Sequence, residues 1–314
     1  MADRGRALEV AFAPIFYNAW GLTMSSNPGT DSRLRIAAID FLNPAPLMWD
    51  LEHPPLNAAL ARRYSIDRMA PSQCAARLIE GTADLGLIPI AALAFAPQLR
   101  VLPGCTIASK AWVRSLILVR RAGQPISEIR SVAADTASRT TIAYTRTLFH
   151  KWGNPGAVFV PLAADLDRML AQADAAVVIG DPALVALEDR AGRLARTGEE
   201  LEYHDIAREW ISLTRLPYIS AVWAASPACP LDDGIANDFI QSRIHGCEHV
   251  EALVAEWAAR LPIPAETIRA YLTTNIHYSL DRECIEGMRG FFRMAAEAGV
   301  LPEAAVRLPE PAVV

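Results

Sequence analysis

Residues 34–47 read LRIAAIDFLNPAPL: a short apolar run, an acidic stop, then Asn43 ahead of Pro44 and Pro46. The run Leu34–Asp40 has the length and content of a buried strand. Proline suits the first turn of a helix, so Pro46–His53 reads as the start of one. A strand passing into a helix through a polar loop is the repeating unit of α/β layering. From Arg33 onward the chain repeats it. Strands are expected at Tyr64–Ala70, Asp84–Ile90 and Arg100–Pro103, with helices at Pro71–Ala83 and Ala91–Ala96.

Ser115–Val119 (SLILV) is apolar on both faces, the mark of a strand covered on both sides. The Gly- and Pro-punctuated RRAGQPISEI that follows reads as a crossing into a second lobe. Strands at Ser131–Ala134, Ala157–Leu162 and Ala175–Gly180, with helices near 138–152 and 164–173, fill that lobe. Tyr218–Ala225 (YISAVWAA) is a strand that returns the chain to the first lobe, and helices at 232–261, 264–274 and 281–298 complete it. The expected division is 33–119 plus 222–314 in one lobe and 120–221 in the other. Two crossings between α/β lobes leave a hinged cleft suited to a small ligand.

Composition narrows the ligand. Of 314 residues, 52% are apolar and the formal net charge is −5, so no overall basic field draws nucleic acid or an acidic membrane. An anionic ligand must be held by a few local donors. Cys74, Cys105, Cys229, Cys247 and Cys284 are scattered, which reads as reduced cytosolic thiols and a cytoplasmic protein. His245, Cys247 and His249 lie close in sequence, but their spacing does not bring all three to one helix face, so no metal site is expected. Residues 1–32 read as an extension outside the folded unit. The apolar stretch 8–22 is interrupted by Glu9 and Pro14 and lacks a clean cleavage site, so a misassigned start is as good a reading as a functional tail.

The segments that carry chemistry fall where strands end and helices begin, the ligand-facing rim of open α/β sheets. Asn43 offers both donor and acceptor to a cleft, although asparagine serves equally as a helix cap. Ser115 opens the buried strand with no histidine beside it in sequence, which leaves a Ser–His nucleophile unsupported. Arg114 alternates to the other face. Thr136, Ser138, Arg139 and Thr140 mark a hydroxyl-rich helix start whose free N–H groups suit an anion. Arg139 adds a fork for a carboxylate. An ordinary hydroxyl-rich cap is the plain alternative. Asp181 stands between a strand and a helix, where capping again competes. Nucleotide-binding glycine motifs and H-E-x-x-H are absent.

In order along the chain, FLNPAPL, VRSLILV, ASRTTIA, ADAAVVIGDPAL and REWISLTRLPYISAVWA resemble landmarks of the chorismate dehydratase family of the futalosine route to menaquinone. The resemblance spans about residues 33–305. It implies a two-lobed, periplasmic-binding-protein-like (type II) α/β fold with the ligand cleft between lobes. It also implies removal of water from chorismate to give 3-[(1-carboxyvinyl)oxy]benzoate, with no redox cofactor and no metal. By the same resemblance Asn43 and Ser115 are catalytic positions. Ser138, Arg139 and Thr140 hold a substrate carboxylate, with Thr136, Asp181 and Arg114 around them. The expected partner is the small-molecule substrate alone, without nucleic acid or membrane, in a monomer or homodimer. Two departures stand out: many relatives have Gly-Pro where this chain has Ala111-Trp112, and Gly where it has Arg215. Trp112 is expected to narrow the cleft and Arg215 to add positive charge at its mouth. The alternatives are a non-catalytic small-anion solute-binding protein, or the sister enzyme that cleaves cyclic dehypoxanthinyl futalosine through a histidine.

Overall fold

Ten strands, among the residues that the computed structural model describes (32–309), form two five-stranded sheets. The extension expected at 1–32 lies outside the described residues, save its last position. The first sheet has the order β2–β1–β3–β10–β4, from β1 (Leu34–Ile39), β2 (Tyr64–Met69), β3 (Leu85–Pro89), β4 (Arg100–Ser109) and β10 (Tyr218–Ala225). The second has the order β7–β6–β8–β5–β9, from β5 (Leu116–Arg121), β6 (Ser131–Asp135), β7 (Val158–Leu162), β8 (Ala175–Ile179) and β9 (Leu201–Asp205). Within each sheet four strands run in one direction, and the strand entering from the other lobe lies antiparallel to them. That strand is β10 beside β3 and β5 beside β8.

This membership corrects the expected crossing points. Ser115–Val119 was assigned to the first lobe, yet β5 pairs on both edges within the second sheet. Ile117 faces Val178 on one side and Asp205 on the other. A run that is apolar on both faces needs a central position, and its hydrogen bonds, not its composition, decide in which sheet. The chain therefore crosses at 110–115. The Gly- and Pro-rich stretch after β5 is a turn within the lobe, with Gly123 at φ +74°. The return crossing is 215–217, ahead of β10.

Four further differences have local causes. β4 runs on to Ser109 through Pro103 and Gly104, which an edge strand tolerates because a missing N–H faces outward. β9 (LEYHD) carries too many charges to show an apolar period, since it is the other sheet's edge, and the helix Ile206–Thr214 follows it, capped by Asp205, which accepts from Arg208 N–H. The long helix expected at 232–261 divides at His249 into Asp233–Glu248 and Val250–Ala258. The helix expected at 264–274 becomes Ala265–Ala270 followed by a π-helical turn, Tyr271–Asn275.

The second sheet buries Ile117, Val119, Ala176 and Val178 against Met169 and Leu170 of the helix Leu166–Gln172. An aromatic cluster ties the two halves behind the cleft. Tyr144, on the helix Thr140–Lys151, has its ring 4.1 Å from Tyr218 of β10 and 4.0 Å from Phe291 of the helix Arg282–Glu297. Trp210 meets Tyr144 edge-on at 4.7 Å. Such pairs contribute about 0.5–1.5 kcal/mol each beyond their buried area. No helix among the described residues is long and apolar enough to cross a membrane.

Candidate active site

The cleft opens between the loop after β1 and the helix start after β6. Ile39, Phe41, Asn43, Pro71, Pro89, Ile107, Ser220 and Ala221 line it from the first sheet's side. Leu116, residues 137–141, Ile179 and Gly180 line it from the other. It holds about 380 Å³ of non-atom space, open solvent at its mouth included.

Two polar atoms in this lining have no protein partner. Asn43 is 8% exposed with its Oδ1 unpaired, and Ser138 is 3% exposed with its Oγ unpaired. A buried polar atom left unpaired costs about 1–3 kcal/mol, and of the twelve such atoms found among the described residues these two lie in the cleft's lining. The helix Thr140–Lys151 presents its N-terminal end beside Ser138 and adds its dipole's positive end. Arg139 lies at that end, and burial lowers its pKa from the ordinary arginine value. One wall of the cleft is thus positive and rich in donors, and the opposite wall presents an amide.

Ser115 stands next to the lining, wholly buried. Its carbonyl accepts from Gly180 N–H at 2.8 Å, and its Oγ accepts from the Tyr271 hydroxyl at 2.7 Å. Gly180, at φ +66°, could not carry a side chain, because a Cβ there would fall 2.7 Å from the Phe41 ring across the cleft.

The remaining expected residues make contacts within the protein itself. The Thr140 hydroxyl lines the cleft but accepts from Ala91 N–H at 3.1 Å. Thr136 is exposed and outside the lining, and its carbonyl accepts from Ser72 Oγ at 3.2 Å. Arg114 pairs with Glu188, while the Val113 and Arg114 N–H groups donate to Asp205, which clamps the crossing turn. Asp181 Oδ1 accepts from Leu42 N–H at 2.9 Å, joining the two lips of the cleft. Trp112 is 44% exposed and, like Arg215, absent from the lining, so neither narrows nor charges the cleft as expected. Arg215 ends the helix Ile206–Thr214 at φ +62°, a left-handed conformation that glycine adopts without cost, which explains why glycine suits this position. His245 pairs with Asp50 and His249 stacks on Trp49, in different contacts.

Thr141 belongs to the hydroxyl-rich helix start read from the sequence, whereas Ser220 and Tyr271 escaped that reading. Thr141 lines the cleft and meets the Tyr218 hydroxyl at 3.0 Å. Ser220 reaches the lining because β10 shifts register between Ile219 and Ala221, a bulge that nothing in YISAVWAA announces. Tyr271 sits on the π-helical turn, a feature frequent at functional sites and invisible in apolar spacing.

Burial pushes the Asp181 carboxyl up to about 6, helped by the nearby charge of Asp40 and opposed by Leu42 N–H and Arg260. The native protein therefore keeps a proton that the unfolded chain releases near its ordinary value of 3.8, so stability is lost as pH rises from about 4 to 6. Asp181→Asn, which keeps an acceptor for Leu42, is expected to stabilise the protein by about 2 kcal/mol at pH 7 and by little at pH 4. Urea unfolding at both values checks this; an equal difference at the two pH values would contradict it.

A family profile described as menaquinone biosynthesis matches residues 34–297. The curated chorismate dehydratase of Thermus thermophilus is 26% identical over 255 residues, covering 79% of this chain and 91% of that protein. Two solved structures share the fold. A crystal structure of an Archaeoglobus fulgidus protein has a TM-score of 0.65 at 12% identity, covering 87% of this chain and 100% of that one. The periplasmic aliphatic sulphonate binding protein of Escherichia coli has a TM-score of 0.61 at 17% identity, covering 90% and 94%. The architecture is that of the periplasmic binding proteins, and by the match over residues 34–297 the chain belongs to the menaquinone biosynthesis family.

Proposed function

We propose that the protein is a chorismate dehydratase, converting chorismate to 3-[(1-carboxyvinyl)oxy]benzoate and water at the start of the futalosine route to menaquinone. The observation that carries the reading is the pair of unpartnered buried atoms, Asn43 Oδ1 and Ser138 Oγ, in one cleft beside Arg139. Ser138 can donate to a carboxylate of a small dianion, and the Asn43 carbonyl can accept from a hydroxyl of the same molecule. The Thermus relative's name supplies the reaction.

The chemistry suits a cleft whose lining holds no histidine and no carboxylate. Loss of the C3 proton and the C4 hydroxyl makes the ring aromatic, so the driving force lies in the substrate. The reaction is redox-neutral. The protein must hold the dianion in a reactive conformer and stabilise the departing hydroxyl. In this reading Ser138, Arg139 and the helix start bind a carboxylate. Asn43 and Ser115 orient the ring and the leaving group, and the substrate's own enolpyruvyl carboxylate takes the proton. The absence of histidine from the lining disfavours the sister enzyme's chemistry. The five free thiols, four of them buried, fit a reducing cytoplasm.

Arg139→Ala is expected to raise KM for chorismate about 10- to 100-fold with a smaller change in kcat, the loss of one charge-assisted contact. An unchanged KM would remove Arg139 from the site. The likeness to sulphonate binding proteins keeps a second reading, a small-anion binding protein. Chorismate bound and recovered intact would favour that reading over the dehydratase.

A further inference from the structure

The π-helical turn Tyr271–Asn275 places one phenol behind Ser115, a proposed catalytic residue. Tyr271 is wholly buried, and its hydroxyl donates to Ser115 Oγ at 2.7 Å. With its oxygen accepting from tyrosine, Ser115 keeps its own proton to donate.

We infer that Tyr271 is a positioning residue that orients Ser115 as a hydrogen-bond donor to the departing hydroxyl. This role rests on the dehydratase reading of Asn43 and Ser115. The test is a double-mutant cycle on chorismate turnover: wild type, Tyr271→Phe, Ser115→Ala and the double variant. Tyr271→Phe keeps the ring and is expected to lower kcat roughly 10- to 50-fold with KM within about twofold of wild type. In the Ser115→Ala background the same change is expected to lower kcat less than about threefold, because the group through which it acts is gone. Equal losses in both backgrounds, or an unchanged kcat in Tyr271→Phe, would overturn the role while leaving the dehydratase reading intact. A wild-type protein that leaves chorismate untouched would overturn both. Should the phenylalanine variant fold poorly, 3-fluorotyrosine at 271 keeps the packing and strengthens the donor. An increase in kcat seen only when Ser115 is present supports the role; a change independent of Ser115 contradicts it.

Discussion

Replacing Asn43 by alanine is expected to lower chorismate turnover about 10²- to 10³-fold while leaving the protein as stable as wild type or slightly more so. The two halves of this expectation come from the same atom. Asn43 Oδ1 is buried and satisfies no group of the protein, so its removal takes nothing from the fold and relieves a small desolvation cost. A residue that the fold would be better without is retained for what it does to a ligand. As an acceptor, the Asn43 carbonyl can hold a substrate hydroxyl in the reactive conformer, and loss of such orientation costs on the order of 10²-fold or more in rate. Steady-state kinetics and thermal melting on one preparation check both halves. A variant that keeps a third or more of its turnover, or that melts well below wild type, would make Asn43 a structural cap after all.

The largest effect on stability is expected at Gly246. It lies on the buried face of the helix Asp233–Glu248, against the turn Ala45–Met48 that follows Asn43. A Cβ on Gly246 would fall 2.0 Å from the Pro46 carbonyl oxygen and 2.6 Å from its carbonyl carbon. These are backbone atoms of a wholly buried turn, so no side-chain rotation relieves the clash. One helical turn earlier, Ser242 Oγ donates to Leu47 O at 2.9 Å and accepts from Asp50 N–H at 3.0 Å, which fixes the spacing. Gly246→Ala is therefore expected to destabilise the protein by about 3–4 kcal/mol, the upper range for overpacking, despite alanine's better helix propensity. It should also reduce turnover of the folded fraction, because the displaced turn directly follows Asn43. Urea unfolding reads the first effect; a loss under about 1 kcal/mol would contradict the close approach.

Much of the fold was legible because strands here are short apolar runs bounded by turn residues. β1, β2, β3 and β8 lie within a residue or two of expectation for that reason. Sheet membership was not legible. SLILV announces a strand covered on both faces, but a run of that kind fits the centre of either sheet, and only the pairing with β8 and β9 decides. The site divides in the same way. Asn43 and Ser138 were visible as polar residues at strand-to-helix turns, where a cap and a ligand contact look alike. The difference is whether a backbone N–H takes up the side chain, and only the folded geometry answers that. Ser115 stood out through family resemblance, not through its surroundings in sequence. Arg114 and Asp181 were plausible at the rim, but their charges are spent on Glu188 and on Leu42 N–H. Tyr271 and Ser220 had no signal at all, because a π-helical turn and a strand bulge are deviations from the periods by which helices and strands are found.

The deciding measurement is the mass of what purified protein makes from chorismate, with Asn43→Ala run alongside. A product lighter than chorismate by one water, still carrying the enolpyruvyl group and missing from the variant's reaction, is the expected result. Chorismate recovered intact from protein that melts cooperatively would contradict the dehydratase reading and leave an anion-binding cleft in its place.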